Sequence, residues 1–454
     1  MTIPFTESEE RVALRESVKA LAGKYGHAYV AVQARKGEKT TALWDDFGKH
    51  GFIGVNIPEE YGGGGGGMGD LAAVLEEASA QGAPLLMMVV SPAIVGSIIT
   101  RCGTEEQKRQ WLPGIASGET VAAFAITEPD AGSNSHQIAT TATRDGDSWV
   151  IKGQKTFISG VDEADVILVV ARTADAKTGK LKPALFLMPT DAPGLERQHI
   201  PMEFVAPEKQ WTLFFDDVRL PDDALVGDED GGLWQLFAGL NPERIMGAAM
   251  TCGQARYALE KAVDYAKTRT VWKDQPIGAH QGIAHPLAKV KIELEQARLL
   301  MQKAAALYDA GDDFTAGEYA NMAKYAGGEI ACNALDVAVQ THGGSGLTTE
   351  LGLGNQLVAA RLGRIAPVSR EMILNFVAMH SLGCPSRTEY RAPCVFVESS
   401  GISRRIRMGR EVVAAVSPAG RRGGSSRWRS SGGPRPDAPR AVPCTPPAGC
   451  GCAR

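Results

Sequence analysis

The spacing of apolar residues changes twice along this 454-residue chain, and this change restricts the fold more than any other feature. Residues 1–118 have helical spacing, clearest from Glu9 to Leu21, whereas residues 119–228 alternate Val, Ile, Thr and Phe with polar residues and turn signals. Helical spacing returns in long segments over residues 229–383. The pattern predicts an α+β fold, with a helical N-terminal domain, a small antiparallel β domain in the middle and a helical C-terminal domain.

Residues 384–454 differ in composition from the rest of the chain. They contain 13 Arg, no Lys, nine Pro and nine Gly, and they lack the apolar periodicity that could offset the entropy of ordering. We predict a disordered tail, which reads like a message translated out of frame after Ser381–Gly383; an RNA-binding arm is the alternative. With four acidic residues the tail carries +9, so the chain's net charge of −4 leaves −13 on residues 1–383. An acidic body argues against a nucleic-acid partner.

The sequence contains only weak signals for a membrane-spanning helix, an export signal or a disulfide framework. No apolar run reaches the roughly 18–20 residues that a membrane helix requires. The segment Met1–Ala22 carries four Glu and lacks the basic and then apolar pattern of an export signal. The body has three widely spaced Cys, and His280 and His285 do not share a helical face, so neither a disulfide framework nor a metal site is predicted. We expect a cytoplasmic protein without membrane contact.

Two short segments of the middle region carry the residues best suited to a ligand site. Phe124–Asn134 begins as an apolar run and breaks at a Glu-Pro pair. The segment offers the hydroxyls of Thr127 and Ser133 and several backbone N–H groups. Pro fixes one φ there and Gly permits close approach of a ligand to the backbone. Further along, Gly153–Gly160 places an aromatic residue two positions before a hydroxyl. Taken alone, each segment predicts only a hairpin with a polar turn.

Together, at this spacing, the two segments resemble the flavin-contacting segments of the acyl-CoA dehydrogenase family, and the resemblance covers about residues 1–383. It implies helical, β and four-helix-bundle domains in that order, with FAD as the cofactor. The family usually has Trp and Thr where this chain has Phe157 and Ser159, which keep the aromatic face and the hydroxyl. The residues that the resemblance places near the flavin or its pyrophosphate are Phe124, Ile126, Thr127, Gly132, Ser133, Phe157, Ile158 and Ser159.

Further segments resemble the parts of the family that contact the rest of FAD. Thr268–Gln281 is similar to a segment that reaches across a subunit interface, and Gln340–Gly346 is similar to a glycine-rich loop on the adenosine side. Because the cofactor would then be shared between chains, the resemblance implies a homo-oligomer, either a dimer or a tetramer. The cofactor-binding residues implied by these segments are Arg269, Trp272, Gln281, Gln340 and Gly344, and the resemblance also implies Ser369 and Glu371 as cofactor-binding residues further along the chain.

The catalytic base is not where most members of the family carry it. The resemblance puts their Glu 21 residues after Gly346, which here is Pro367, a residue with neither a carboxylate nor an N–H for the thioester carbonyl. A minority branch, which includes isovaleryl- and long-chain-type enzymes, carries its base on another helix, just before an Arg that contacts the substrate. In this chain the matching stretch is Leu240–Met246, which makes Glu243 the candidate base and Arg244 its neighbour.

The residues around Glu243 predict the beginning of a helix. Asn241 suits the N-cap and Pro242 suits the first helical position, so Glu243 would lie in the first turn. An alternative is that Glu243 only complements the helix dipole, and Glu371 is the rival carboxylate. The residues expected to contact the coenzyme A substrate are Ser133, Asn241 and Arg244.

The function implied by the resemblance is FAD-dependent α,β-dehydrogenation of an acyl-CoA thioester to a trans-2-enoyl-CoA. Glu243 would take the α-proton, the β-hydride would pass to flavin N5, and the electrons would leave through an electron-transferring flavoprotein. Two alternatives keep the same fold: a catalytically silent FAD-binding subunit, which Pro367 favours, and an acyl-CoA oxidase or flavin monooxygenase that uses O₂. The length and branching of the acyl chain stay open.

Overall fold

The computed structural model describes residues 6–175, 178–229, 231–272 and 274–385, so nearly all of the predicted tail lies outside the described residues. The first helix begins after Ser8, whose hydroxyl accepts a hydrogen bond from the Arg11 N–H, and ends at Gly37 in the left-handed conformation. A π-helical segment, Val89–Gly96, connects two short helices. The N-terminal helices are α1 Glu9–Lys36, α2 Thr41–Lys49, α3 Met68–Ala80, α4 Leu86–Met88, α5 Ser97–Cys102 and α6 Glu105–Ser117.

The middle region folds into one eight-stranded sheet, whose members are β1 Ala122–Ala125, β2 Thr141–Asp145, β3 Ser148–Ser159, β4 Val166–Ala174, β5 Leu181–Pro189, β6 Leu195–Ile200, β7 Gln210–Pro221 and β8 Leu225–Val226. The order is β6–β7–β3–β2–β4–β5–β8, with β1 paired to β4. Most neighbours are antiparallel, as predicted, but β1 and β2 both run parallel to β4. Neither is joined to β4 by a tight hairpin, so the chain can return in the same direction.

Both faces of β4 are buried, and this strand attaches the sheet to the helices. Ile167, Val169 and Ala171 point into the core of the sheet domain, where Trp149 packs edge-on against Phe186 with 5.2 Å between ring centroids. The alternate residues point the other way, into the core shared with the helices. They are Val166, Leu168 and Val170.

The C-terminal region contains three long helices that pack side by side. A small hairpin, β9 Thr270–Trp272 and β10 Gln275–Pro276, connects the first two of them. Three short helices follow, and they pack against the third long helix. The helices are α7 Gly232–Thr268, α8 Gln281–Asp309, α9 Asp313–His342, α10 Leu353–Ala360, α11 Leu362–Ile365 and α12 Arg370–Phe376.

A buried group of charges joins the N-terminal helices to the bundle. Glu76 of α3 has no solvent exposure, and its carboxylate lies 2.6 Å from the Arg298 Nε and 3.1 Å from an Arg256 nitrogen. Glu77 contacts Arg256 at 2.6 Å, and Arg15 of α1 contacts both carboxylates at 2.9 Å. Burial alone would raise the pKa of Glu76, but the three guanidinium groups lower it below its usual value. The carboxylate is therefore ionised, and each of its oxygens lies beside a guanidinium group.

No helix in the described part of the chain combines the length and apolar character needed to cross a bilayer.

Candidate active site

A cavity of about 630 Å³ lies where the sheet meets the helical bundle. Part of its lining comes from the turn after β1 and from the end of β3, and another part comes from α7, α9 and the turn between α11 and α12. The predicted residues that line it are Phe124, Ile126, Thr127, Gly132, Ser133, Phe157, Ile158, Ser159, Glu243 and Arg244. Segments separated by more than one hundred residues in the sequence thus meet at one site.

The turn after β1 is held in place by a buried ion pair. The Glu128 carboxylate accepts hydrogen bonds from the Lys155 ammonium at 2.8 Å and from the N–H groups of Ala139 and Thr140. Lys155, which is fully buried, also donates to the Ile126 carbonyl at 3.0 Å. Burial alone would raise the pKa of Glu128, but these donors lower it, whereas burial lowers the pKa of Lys155 to about 8. The ion pair fixes the turn against β3, so that the hydroxyls of the turn face the cavity.

Phe157 faces the cavity because β3 is irregular at this point. Its φ is +57°, in the left-handed region that a bulky residue rarely adopts. The pairing of β3 with β7 shifts between Lys155 and Ile158, which leaves Phe157 outside the regular ladder. The side chain is 57% exposed, although it belongs to the cavity wall. An aromatic ring with an open face in a cavity is a surface on which a planar ring can stack.

Two hydroxyl contacts join separate parts of the site. The Ser159 hydroxyl donates to the Gln210 side-chain oxygen at 3.0 Å, which connects β3 to the beginning of β7. The Ser133 hydroxyl accepts a hydrogen bond from the Ser369 N–H at 3.1 Å, and the Ser369 hydroxyl in turn caps α12 through the Met372 N–H. The β1 turn is therefore connected to the C-terminal region beside the cavity.

The prediction that a helix begins at Asn241 is wrong. Helix α7 begins at Gly232 and continues through Pro242, so Glu243 lies in the interior of a 37-residue helix and not in its first turn. Pro242 has no N–H to donate to the Ala238 carbonyl, one turn earlier, but the Tyr308 hydroxyl donates to that carbonyl at 2.9 Å. A helix dipole at the N-terminus therefore does not explain the presence of Glu243.

Glu243 faces the cavity as a carboxyl group without a hydrogen-bond partner among the described residues. Burial raises its pKa to about 7, and the nearby cations of Arg244 and Lys324 oppose this rise. Arg244 donates to the Leu240 carbonyl at 2.7 Å, while its buried Nε has no partner in the described part of the chain. The arrangement places a carboxyl group that titrates near neutral pH on the wall of an apolar cavity, where it can accept a proton.

The other predicted residues lie away from this cavity. Asn241 is buried and uses its amide to donate to the Asp313 carbonyl at 3.0 Å, so it is not brought to the cavity wall. Glu371 is exposed and paired with Arg370 at 2.7 Å. The backbone of Trp272 lies in β9, and its side chain is outside the described atoms. The remaining predicted cofactor residues are exposed at the ends of the long helices, namely Arg269, Gln281, Gln340 and Gly344.

Lys324 and Gln210 line the cavity, although the sequence analysis did not select either residue. A signal for Lys324 was present, because it interrupts a stripe of small apolar residues on α9 that includes Ala320 and Ala331. A lysine on the buried face of a helix requires an explanation. No local signal marks Gln210, which is brought to Ser159 only by the pairing of β3 with β7. Among the described residues, no cluster of three or more His, Cys, Asp or Glu side chains could hold a metal ion.

The domain order and the cavity can now be compared with known proteins. Residues 8–119, 123–218 and 230–382 match the models of the N-terminal, middle and C-terminal domains of acyl-CoA dehydrogenase. The chain belongs to the acyl-CoA dehydrogenase family. The predicted family, fold class and enzyme class are thereby confirmed, and the matched region ends at residue 382.

Individual relatives agree with this assignment to the acyl-CoA dehydrogenase family. Acyl-CoA dehydrogenase FadE12 of Mycobacterium tuberculosis is 63% identical over 381 residues, which cover 84% of this chain and 98% of that protein. The structure of glutaryl-coenzyme A dehydrogenase in complex with glutaryl-CoA is 29% identical, with a TM-score of 0.80, and covers 84% of this chain and 98% of that one. The structure of PigA with FAD and proline is 26% identical, with a TM-score of 0.78, and the match covers 84% of this chain and 99% of that one.

Proposed function

We propose that this acyl-CoA dehydrogenase uses Glu243 to remove the α-proton of an acyl-CoA thioester and releases a trans-2-enoyl-CoA. The observation that carries the proposal is the position of Glu243, a carboxyl group without a hydrogen-bond partner among the described residues, on the wall of the main cavity. Position 367, where most members of the family carry their base, is Pro367, which lines the same cavity and offers no carboxylate. Glu243 is the carboxylate of this wall that no described donor engages, so it is available to accept a proton.

The cavity fits the family's cofactor, FAD, on the evidence of its own side chains. The open face of Phe157 can stack on the isoalloxazine, and the hydroxyls of Thr127 and Ser159 and the backbone of the β1 turn can hydrogen-bond to its polar edge. Ser133, held by the Ser369 N–H, would lie near the pyrophosphate or the coenzyme A arm. When bound, FAD supplies the hydride acceptor.

The chain itself supplies the proton chemistry. Near neutral pH a large share of Glu243 is ionised, because its pKa is about 7, and a carboxylate of this basicity is far better matched to an α-proton than an ordinary exposed Glu. The apolar lining, which includes Val90, Ile94 and Met250, keeps water from the carboxylate and accepts the acyl chain. Arg244, next in the chain, places a positive charge beside the same wall, where it can help to hold the substrate.

Several finer features are part of the same proposal. The exposed Arg269, Gln281, Gln340 and Gly344 would contact the FAD of a second copy of the chain, so we expect a homo-oligomer. Electrons would leave to an electron-transferring flavoprotein, and the enzyme would work in the cytoplasm. The domains would span residues 1–118, 119–228 and 229–383. Among the known branches, the position of the base is most similar to that of the isovaleryl- and long-chain-type enzymes.

The decisive experiment is anaerobic reduction of the bound flavin. Purified protein is mixed with butyryl-CoA, isovaleryl-CoA, octanoyl-CoA and palmitoyl-CoA, and bleaching of the flavin absorbance is recorded for wild type, Glu243→Gln and the matched control Glu371→Gln. We expect bleaching by at least one thioester in wild type and in the control, and its loss in Glu243→Gln. Bleaching at the wild-type rate in Glu243→Gln would refute the assignment of the base, and peroxide formation in air would favour an oxidase.

A further inference from the structure

Lys324 is a buried ammonium without a salt bridge in the described part of the chain. Its side chain lies on α9, its residue is 2% exposed, and its Nζ donates a hydrogen bond to the Val368 carbonyl. Burying an ammonium costs free energy unless a counter-charge or several acceptors compensate for it. A lysine kept in such a place must serve an interaction that an apolar residue could not provide.

The charged groups around Lys324 identify that interaction. Glu329 of α9 pairs with Arg364 at 2.8 Å and with Arg370 at 3.2 Å, and Glu371 of α12 pairs with Arg370 as well. These two carboxylates are thus compensated by guanidinium groups of their own. Glu243 has no such ion pair, and the only cations that line its cavity among the described residues are Arg244 and Lys324.

The charges of Glu243 and Lys324 influence each other across the contact between α7 and α9. Lys324 lowers the pKa of Glu243 against the effect of burial, as Arg244 also does. In return, burial lowers the pKa of Lys324 to about 8, Arg244 adds to this effect, and Glu243 opposes it together with Glu371 and Glu329. Arg244 is adjacent to Glu243 in the chain, whereas Lys324 comes from a separate helix, so only the packing of the bundle provides this second cation.

Lys324 also holds a second part of the cavity lining, the turn between α11 and α12. Its bond to the Val368 carbonyl ties the turn between α11 and α12 to α9. Pro367 in this turn has no N–H, and its Cδ lies 3.9 Å from the place that a Cβ on Gly247 would occupy. Gly247 is one helical turn after Glu243 on α7. The space beside the base therefore depends on the position of this turn.

We propose that Lys324 is a positioning residue for the proton acceptor: its ammonium adds to Arg244 a second positive charge that favours the ionised form of Glu243, and its hydrogen bond fixes the turn between α11 and α12 that lines the same cavity. The inference rests on the proposed role of Glu243 as the base. Lys324 acts through Glu243 and through the turn, and it does not touch the reacting atoms.

Three variants of Lys324 separate its charge from its hydrogen bond. Lys324→Arg keeps both, Lys324→Gln keeps a donor for the Val368 carbonyl without the charge, and Lys324→Met has neither. The rate of anaerobic flavin bleaching is measured from pH 5.5 to 9 at a saturating concentration of the thioester that reduces wild type fastest. Wild type should have a rate that rises with pH as Glu243 ionises.

Loss of the cation should move this rise toward alkaline pH. We expect Lys324→Gln and Lys324→Met to shift the profile by about one pH unit, so that both are about fivefold slower at pH 7 and recover at pH 9. Lys324→Arg should keep the wild-type profile. A wild-type profile in Lys324→Gln, with or without a defect in Lys324→Met, would overturn the inference, because the hydrogen bond alone would then suffice.

The same data distinguish this inference from the proposed function. If Glu243→Gln bleaches as fast as wild type, the base assignment fails. If Glu243→Gln is inactive and Lys324→Gln has the wild-type profile, only the role of Lys324 fails. The flavin spectrum and melting temperature of each variant show whether it is folded, and Lys324→Gln tests the charge even if Lys324→Met does not fold.

Discussion

Two buried glutamates of this enzyme have opposite surroundings. Glu76, between the N-terminal helices and the bundle, is in contact with Arg15, Arg256 and Arg298, and these cations lower its pKa against the effect of burial. Glu243, on the cavity wall, has no ion pair within 4 Å among the described residues, and burial raises its pKa to about 7. Glu76 is fully buried and Glu243 is half-buried, yet the pKa is raised in Glu243 and lowered in Glu76, so burial alone does not explain the difference.

The difference lies in how completely each carboxylate is paired. A carboxylate whose oxygens are bound by guanidinium groups has little tendency to accept a proton, and it serves to hold helices together. A buried carboxylate without donors is costly to keep ionised, and this cost is the source of its basicity. The donors around Glu76 therefore suit it to a structural role, and their absence around Glu243 suits that residue to accept a proton.

The largest expected effect is on the chemistry of Glu243. Glu243→Gln removes the proton acceptor and should slow flavin bleaching by about 10²- to 10⁴-fold, the usual contribution of a general base. Since no described hydrogen bond is lost, the melting temperature should stay equal to that of wild type or rise. A variant that melted well below wild type would show that Glu243 also holds the fold, and the contrast with Glu76 would be lost.

The corresponding change at Glu76 should affect stability and not chemistry. Glu76→Gln leaves three guanidinium groups with fewer partners, and we expect a loss of about 3 kcal/mol in the free energy of unfolding. The folded protein should still bleach with its thioester at a rate close to wild type. Glu295→Gln is the matched control, because Glu295 contacts the same Arg298 at the surface; its loss should stay below about 1 kcal/mol. Equal losses in both variants would contradict the central role of Glu76.

The pH dependence of activity and stability should separate the two sites. Activity requires ionised Glu243, so the rate of bleaching should fall about tenfold for each pH unit below its pKa of about 7. The folded-state pKa of Glu76 is depressed, so its contribution to stability is present above the usual Glu range and is lost on further acidification. We therefore expect a range around pH 5 to 6 in which the protein remains folded and is largely inactive. Parallel loss of ellipticity and activity over that range would contradict the distinction.

The smallest expected effect is on the free energy of unfolding, through the segment of α7 that carries Glu243. Tyr308→Phe removes the donor that replaces the missing N–H of Pro242 and leaves the Ala238 carbonyl unpaired, which should cost about 1 kcal/mol of unfolding free energy. In a Pro242→Ala background the backbone can supply this donor, so the same change should cost less. Chemical denaturation of the four proteins measures the coupling. Equal costs in both backgrounds would show that the hydroxyl does not compensate for Pro242.

Much of the fold was predictable because apolar periodicity reports which faces are buried. The order of helices, sheet and helices follows from it, and the segments around Thr127 and Phe157, which the resemblance placed near one flavin, line one cavity. The predicted beginning of a helix at Asn241 was wrong, because Asn followed by Pro is a strong local signal for a helix start. A hydroxyl from Tyr308, 66 positions after Pro242, overrides that signal.

By itself the sequence determined the family, the order of the elements and the identity of the only carboxylate in the Leu240–Met246 stretch, since these depend on local spacing and motifs. Contacts between distant segments account for the contrast between Glu243, which has no ion pair among the described residues, and Glu76, which is surrounded by cations, and they bring Lys324 to the cavity that Glu243 lines. The physical reason is that a carboxylate's basicity depends on every charge and donor within a few ångströms. Those neighbours come from helices that are distant in the chain and meet only when the molecule folds.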